Sequence, residues 1–271
     1  MPRADLDHLF AWEVQVPDLE TQRRLAARLK SQMAAVEEAR RRVEEQAKAA
    51  EALWQRVLVE VFEDQNGEEW PHRSLGDLLR APLRTGISKQ GSTEAKHRCL
   101  GLSAVRSGLL DVSASKPINL TEAEAERNRV KPGAFYVVRG NGNVRLVGRG
   151  AVAPDEVGEE IVFPDLLIEV TPEPSLLLTE YLRWAWEAPG VREEIESRSM
   201  TTSGIFKINL GNLAQVPLPL PPLPTQRRIA ARLREQFVRL QQLQSALSTQ
   251  REALEALPGA FLREAFGSLS D

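Results

Sequence analysis

Val216-Pro217-Leu218-Pro219-Leu220-Pro221-Pro222-Leu223-Pro224-Thr225-Gln226-Arg227-Arg228-Ile229-Ala230-Ala231-Arg232-Leu233 is the stretch around which the rest of the chain is arranged. Its last nine residues recur near the other end as Thr21-Gln22-Arg23-Arg24-Leu25-Ala26-Ala27-Arg28-Leu29, at an offset of 204 positions. The offset holds without a gap on both sides. Leu6 and Leu9 fall on Leu210 and Leu213, and Pro17 and Leu19 on Pro221 and Leu223. Further on, Leu53, Leu58, Glu60 and Phe62 fall on Leu257, Leu262, Glu264 and Phe266. Two long segments are therefore copies of one unit, with an unrelated centre between them. A repeat met only twice, at the two ends, is not a solenoid. It reads as two arms flanking one domain.

Both arms read as helices. From Thr21, whose hydroxyl suits a helix start, to about Asp64 the chain holds neither Gly nor Pro. Apolar or small residues at Leu29, Met33, Val36, Val43, Ala47, Ala50, Trp54, Val57 and Val61 step alternately by three and four, which is heptad spacing, and only Arg40 interrupts them. At 1.5 Å per residue such a helix is ~65 Å long, right for a coiled coil. One strand of a coiled coil needs a partner. The second copy offers a matching seam at Leu233, Phe237, Leu240, Leu247, Leu254 and Phe261, with Gln244 and Arg251 as polar members. Pro258-Gly259 is expected to kink or briefly break that second helix.

Composition bounds the rest. In 271 residues, 42% apolar and 27% charged is ordinary for a soluble globular protein. No apolar run approaches the ~18 residues of a membrane span, and Met1-Pro2-Arg3-Ala4-Asp5 is no signal peptide, so a cytoplasmic protein without membrane contact is expected. A single cysteine, Cys99, excludes an internal disulfide and fits a reducing compartment; with three histidines it also argues against a Cys/His metal site. The net charge of −3 conceals a segregation. Residues 70–151 carry 14 Lys+Arg against 6 Asp+Glu, whereas 152–196 carry 2 against 12. A basic block beside an acidic block suggests one face for phosphates and another that avoids them.

The centre is built of short elements. Residues 98–102, 134–139, 144–147 and 165–170 read as strands, and 121–129 and 177–197 as helices, with Asn141-Gly142 as a hairpin turn signal. Catalytic patterns are missing: Arg139-Gly140-Asn141-Gly142-Asn143 holds G-x-G without the rest of a dinucleotide fingerprint, and there is no phosphate-binding G-x-x-x-x-G-K-[ST]. What remains is binding chemistry. Arg84, Thr85, Lys89, Lys96, Arg98, Arg106, Arg139, Asn141, Asn143, Arg145, Arg149, Thr201, Thr202 and Lys207 are cationic, amide and hydroxyl groups on turn-rich backbone. Arg and Asn read guanine and adenine edges in the major groove, and Lys, Ser and Thr hold phosphates. These residues are the candidate DNA contacts. Leu29, Met33, Val36, Val43, Leu233, Phe237, Leu240 and Leu247 are the candidate helix seam. No catalytic and no metal-binding residue is expected.

Four stretches carry a family resemblance. Pro219–Ile229 resembles the proline-rich approach to a conserved helix in the specificity subunits of type I restriction–modification systems, and Ala256–Phe266 resembles the end of that helix. Pro132–Gly142 with Leu146-Val147-Gly148 is similar to a recurring part of the family's target-recognition domains, and Trp70 followed by Ser74-Leu75-Gly76-Asp77 to the start of one. The resemblance implies a half-size or truncated subunit of α+β class: one mixed α/β target-recognition head on a two-helix antiparallel coiled-coil stalk. It divides the chain into a helical arm at 1–66, a DNA-binding recognition domain at 67–215, and a proline-rich approach with second arm at 216–271. It implies a non-catalytic subunit that positions adenine methyltransferase subunits on double-stranded DNA, with S-adenosylmethionine in the methyltransferase and no cofactor in this chain. A restriction or motor subunit, and a second copy or another specificity chain, are further expected partners. The rival reading is a coiled-coil scaffold whose head binds protein.

Overall fold

The computed structural model describes residues 16–63, 70–89, 91, 95–106, 108–202 and 204–267. Of the loop expected over 5–20, residues 5–15 lie outside them. The fold is mixed α/β, with a long helix near each end: α1, Leu19–Phe62, and α6, Leu223–Gly267. The contacts gather into two compact units, Met1–Leu53 with Val238–Asp271, and Trp54–Phe237.

In the first unit the two helical segments run antiparallel. Arg28 forms an ion pair with Glu264, and the Arg40 guanidinium donates to the Leu254 carbonyl at 3.4 Å, so rising numbers on α1 meet falling numbers on α6. Val36, Ala50, Leu247 and Ala265 are buried there. Leu29 and Val43 are half-buried. Met33 departs from the expected seam: it is 45% exposed, and Gln32 is the half-buried residue at that turn. The step from Leu29 is three residues, not four, and the apolar character of Met33 disguised it. Of the kink or brief break expected at Pro258, the break does not occur, because α6 continues through it. Proline lacks the N–H that would bond the carbonyl four residues back, which is that of Leu254. Arg40, the one interruption in the α1 seam, supplies that carbonyl with a donor from the opposite helix.

The second unit is built around a six-stranded sheet. Its strands, named in chain order, are β2 Arg84–Thr85, β4 Val105–Arg106, β5 Gly108–Leu110, β7 Phe135–Val138, β9 Gly150–Val152 and β11 Leu167–Val170, arranged β2-β11-β7-β9-β5-β4. Strand β7 is buried at every position because both of its faces are covered. Phe135 packs on Trp186 at 5.5 Å between ring centroids, and Tyr136, on the other face, packs on Phe163 at 5.0 Å. A second sheet places β3, His97–Leu100, between β10, Ile161–Val162, and β6, Ser115–Ile118. A two-stranded ladder joins β1, His72–Ser74, to β14, Pro217–Pro219, and so closes the two ends of the central domain on each other.

The helix α2, Glu122–Asn128, matches expectation and starts with a capping box: Thr121 Oγ1 accepts from the Glu124 N–H at 3.3 Å, and the Glu124 carboxylate accepts from the Thr121 N–H at 2.9 Å. The helix expected over 177–197 is two, α3 Thr179–Ala185 and α4 Pro189–Ser197. Pro189 opens the second, where its missing N–H costs nothing. The strand expected at 144–147 is a short 3-10 turn, Val144–Leu146. A final sheet of three strands has β13, Ile205–Lys207, between β12, Met200–Thr202, and β8, Gly140–Asn141. The short helix α5, Leu210–Ala214, precedes β14.

Candidate nucleic-acid interface

Seven of the candidate residues converge on the small sheet and the loop that leaves it. In β12 and β13, Met200 lies opposite Lys207 and Thr202 opposite Ile205, which sets Met200, Ile205 and Lys207 on one face. That face is open: Met200 is 63% and Ile205 45% exposed, and Lys207 is exposed as well. Thr201, Phe206 and Asn141 form the opposite row. The side chain of Thr202 lies outside the described residues. Gly140 permits the close approach of the strands, because a Cβ there would stand 2.9 Å from Lys207 Cγ. At the hairpin tip, Gly204 has φ +78°, a conformation that favours glycine.

From β8 the chain enters a loop shaped by two successive asparagine turns. Asn141 Oδ1 accepts from the Asn143 N–H and Asn143 Oδ1 from the Arg145 N–H, each at 3.0 Å. The loop is fixed from beneath. Trp186 Nε1 donates to the Gly148 carbonyl at 2.6 Å, and Arg192 Nη2 donates to the Val147 carbonyl at 2.9 Å. Gly148, at φ +69°, lies against Ile195, where a Cβ would come within 2.1 Å of Cγ2. The loop backbone is thus held by α3 and α4, while the Arg145, Leu146 and Arg149 side chains remain exposed. Arg149 Nε donates to the Arg145 carbonyl at 3.3 Å; among the described residues the Arg145 guanidinium meets no acceptor. Arg139 is half-buried between the sheets, its N–H bonded to the Leu166 carbonyl and its own carbonyl accepting from Ile208.

The other candidates do not join this group. Arg84 and Arg106 stand on opposite edge strands of the six-stranded sheet. Arg84 pairs with Glu169, whose side chain is 2% exposed, donates to the Arg127 carbonyl at 2.7 Å and lies over the Phe163 ring at 4.9 Å. Lys131 takes the other Glu169 oxygen at 2.8 Å. Lys89 pairs with Glu124 at 2.7 Å and Lys96 with Glu122 at 2.5 Å. Both carboxyls are held below their usual range, Glu124 to about 2 chiefly by its hydrogen bond to Lys89, and Glu122 chiefly by Lys96. Arg98 donates to Ser115 Oγ at 3.0 Å and to its carbonyl at 2.7 Å; Arg106 donates to the Ser103 carbonyl at 2.8 Å. Thr85 is half-buried in β2 beside Arg84. These side chains are engaged within their own domain, Arg84 most deeply through the buried Glu169. Among the described residues no cluster of three metal-ligating groups occurs. Burial pushes the Cys99 thiol up to about 11, far from a nucleophile's range.

No family model matches the chain. The EcoKI specificity subunit of a type I restriction enzyme, from Escherichia coli (strain K12), is 24% identical over 263 residues, covering 93% of this chain and 56% of that relative. A chain solved in work on complex assembly and conformational transition of the type I R-M system shares 25% identity and superposes with a TM-score of 0.69, over 93% of this chain and 60% of that one. Over nearly its whole length this chain is similar to type I specificity subunits. The crystal structure of the HsdS subunit from Thermoanaerobacter tengcongensis has the same fold, with a TM-score of 0.53 at 23% identity over 98% of this chain and 63% of that one. The chain spans about half the length of the curated relative it matches, 56% of it. Among the described residues no helix is long and apolar enough to cross a membrane.

Residue type alone does not point to the apolar part of this open face. Met200, Ile205 and Leu146 were passed over because apolar side chains count as core by default. The available signal was apolar residues on both faces of the strands in Met200-Thr201-Thr202-Ser203-Gly204-Ile205-Phe206-Lys207, which one covered face does not explain. Arg192 was missed because it lies in the acidic block, although it fixes the loop that presents Arg145.

Proposed function

We propose that this chain is a type I specificity subunit, a non-catalytic DNA-recognition module whose head reads double-stranded DNA with the 141–149 loop and the open face of the β12–β13 hairpin. The observation that carries the reading is a loop tied down by Trp186 and Arg192 with Arg145 and Arg149 exposed on it, leaving a strand that pairs with the one bearing the exposed Lys207. A preorganised backbone that presents arginines, an amide and a lysine offers both base-edge readers and phosphate contacts. In this reading the domain limits are 1–66, 67–215 and 216–271, and the antiparallel arms form a coiled-coil spacer. Adenine methyltransferase subunits, which bring S-adenosylmethionine, dock on the assembly in the cytoplasm, and a motor–nuclease subunit joins it. The test is DNA binding by the purified chain, alone and with its methyltransferase, titrated with salt. Affinity that falls steeply as salt rises is expected, because each neutralised phosphate releases counterions. Absence of binding at low salt in both forms would refute the reading and leave a protein-binding scaffold.

A further inference from the structure

The hairpin β12–β13 carries two groups whose exposure neither phosphate contact nor hydrogen bonding explains. Met200 is 63% and Ile205 45% exposed, and both stand on the open face with Lys207. A single apolar side chain in water is ordinary. Here two share one short ribbon, and Met200 lies directly opposite Lys207.

The ribbon narrows toward its turn. Among the described residues the last pair between β13 and β8 is Phe206 with Asn141, so Ile205 lies beyond the end of β8. There the sheet is reduced to two strands, ~4.8 Å apart. Only Ser203 and Gly204 separate Thr202 from Ile205, and Gly204 has φ +78°. A two-stranded ribbon enters the major groove of DNA, which is ~12 Å wide, and not the minor groove of ~6 Å. The apolar group that base edges present in the major groove is the C5-methyl of thymine.

We propose that Met200 and Ile205 select thymine: the β12–β13 ribbon enters the major groove, the two side chains pack on thymine C5-methyl groups, and Lys207 takes a neighbouring phosphate. This rests on the head reading DNA, as proposed above, and names the base that its apolar face selects. Met suits the task, because its unbranched thioether chain follows irregular surfaces. A protein partner fits the face less well. Lysine is depleted from protein–protein interfaces and charge from their cores, yet Lys207 faces Met200 across the ribbon. Two side chains also fall far short of the ~800 Å² that each partner buries in a stable interface.

The test removes the methyl and nothing else. Duplexes bound by the chain with its methyltransferase are selected from a random pool. The selected site is then remade with deoxyuridine, which lacks only the C5-methyl, at each thymine in turn. Thymine is expected in the site, and its replacement at a contacted position should weaken binding about fourfold, the factor that burying one such group brings. That ratio should hold as salt is raised, because methyl burial releases no counterion. Met200→Ala with Ile205→Ala should leave the urea midpoint unchanged, both side chains being exposed, and bring the ratio close to one. Arg145→Ala should weaken binding to both DNAs and keep the ratio. A site without thymine, a ratio of one in the parent, or a ratio undiminished in the double variant would overturn the proposal and leave DNA reading intact. Absence of binding at low salt would remove both. Loss of the methyltransferase from the double variant, with the ratio unchanged, would make the face a protein contact and likewise overturn the proposal.

Discussion

Glu169 is a buried carboxylate shared by Arg84 and Lys131. Removing one partner leaves charge behind where water does not reach, and such losses typically cost ~3–5 kcal/mol. Arg84→Ala is therefore expected to lower the denaturation midpoint sharply in a urea melt. Arg145→Ala is expected to leave that midpoint unchanged and to weaken DNA binding, by ~1–3 kcal/mol if the guanidinium reads a base. Sequence alone gives no means of separating these two arginines, because what divides them is a carboxylate brought close by strand pairing across the sheet. Arg40 makes the same point in the helices. It reads as a flaw in a heptad seam until Pro258 is set opposite it. In a double-mutant cycle, Arg40→Met should destabilise the parent by a measurable amount and the Pro258→Ala background by much less. Equal losses in both backgrounds would show that Arg40 is not serving the Leu254 carbonyl.

Among the elements, α2 was legible from Thr121 and Glu124 alone, because a capping box is local chemistry. The hairpin β12–β13 was not, because its pairing with β8 joins residues far apart in the chain. The division of 177–197 into α3 and α4 was available in Pro189 but masked by continuous helical composition. The α2 corner also makes a pH prediction. Lys89 and Lys96 hold Glu124 and Glu122 below their ordinary value of 4.5. A carboxylate depressed in the folded state stabilises above its unfolded pKa, and that contribution is lost as pH falls through the folded one. Local protection of the Glu124 and Ala125 amides should therefore decline between pH 4.5 and about 2, the value to which Glu124 is held. Protection factors that stay flat across that window would show that the lysines are not its partners in solution.

For the whole molecule, the gapless repeat was the feature that sequence revealed best, and the structure gives it a physical form: Arg28 with Glu264 and Arg232 with Glu60 are the same contact made twice. On α6, Leu233 is 0% and Leu247 5% exposed, whereas on α1 Gln32 and not the expected Met33 is the half-buried residue at its turn. Leu233→Asp should cost several kcal/mol by burying an unpaired charge, and the half-buried Leu29→Asp should cost less. Thermal melts of the two variants check the order. The pairing also has a consequence for synthesis. Arg28 waits for a partner 236 residues downstream, and Arg40 for one 214 residues downstream. While the ribosome is still at work, the first helix has no mate. Its apolar stripe must be shielded by chaperones or stay unstructured until the last segment emerges, and refolding from denaturant should show the helical unit maturing after the sheets, in a slow closing phase.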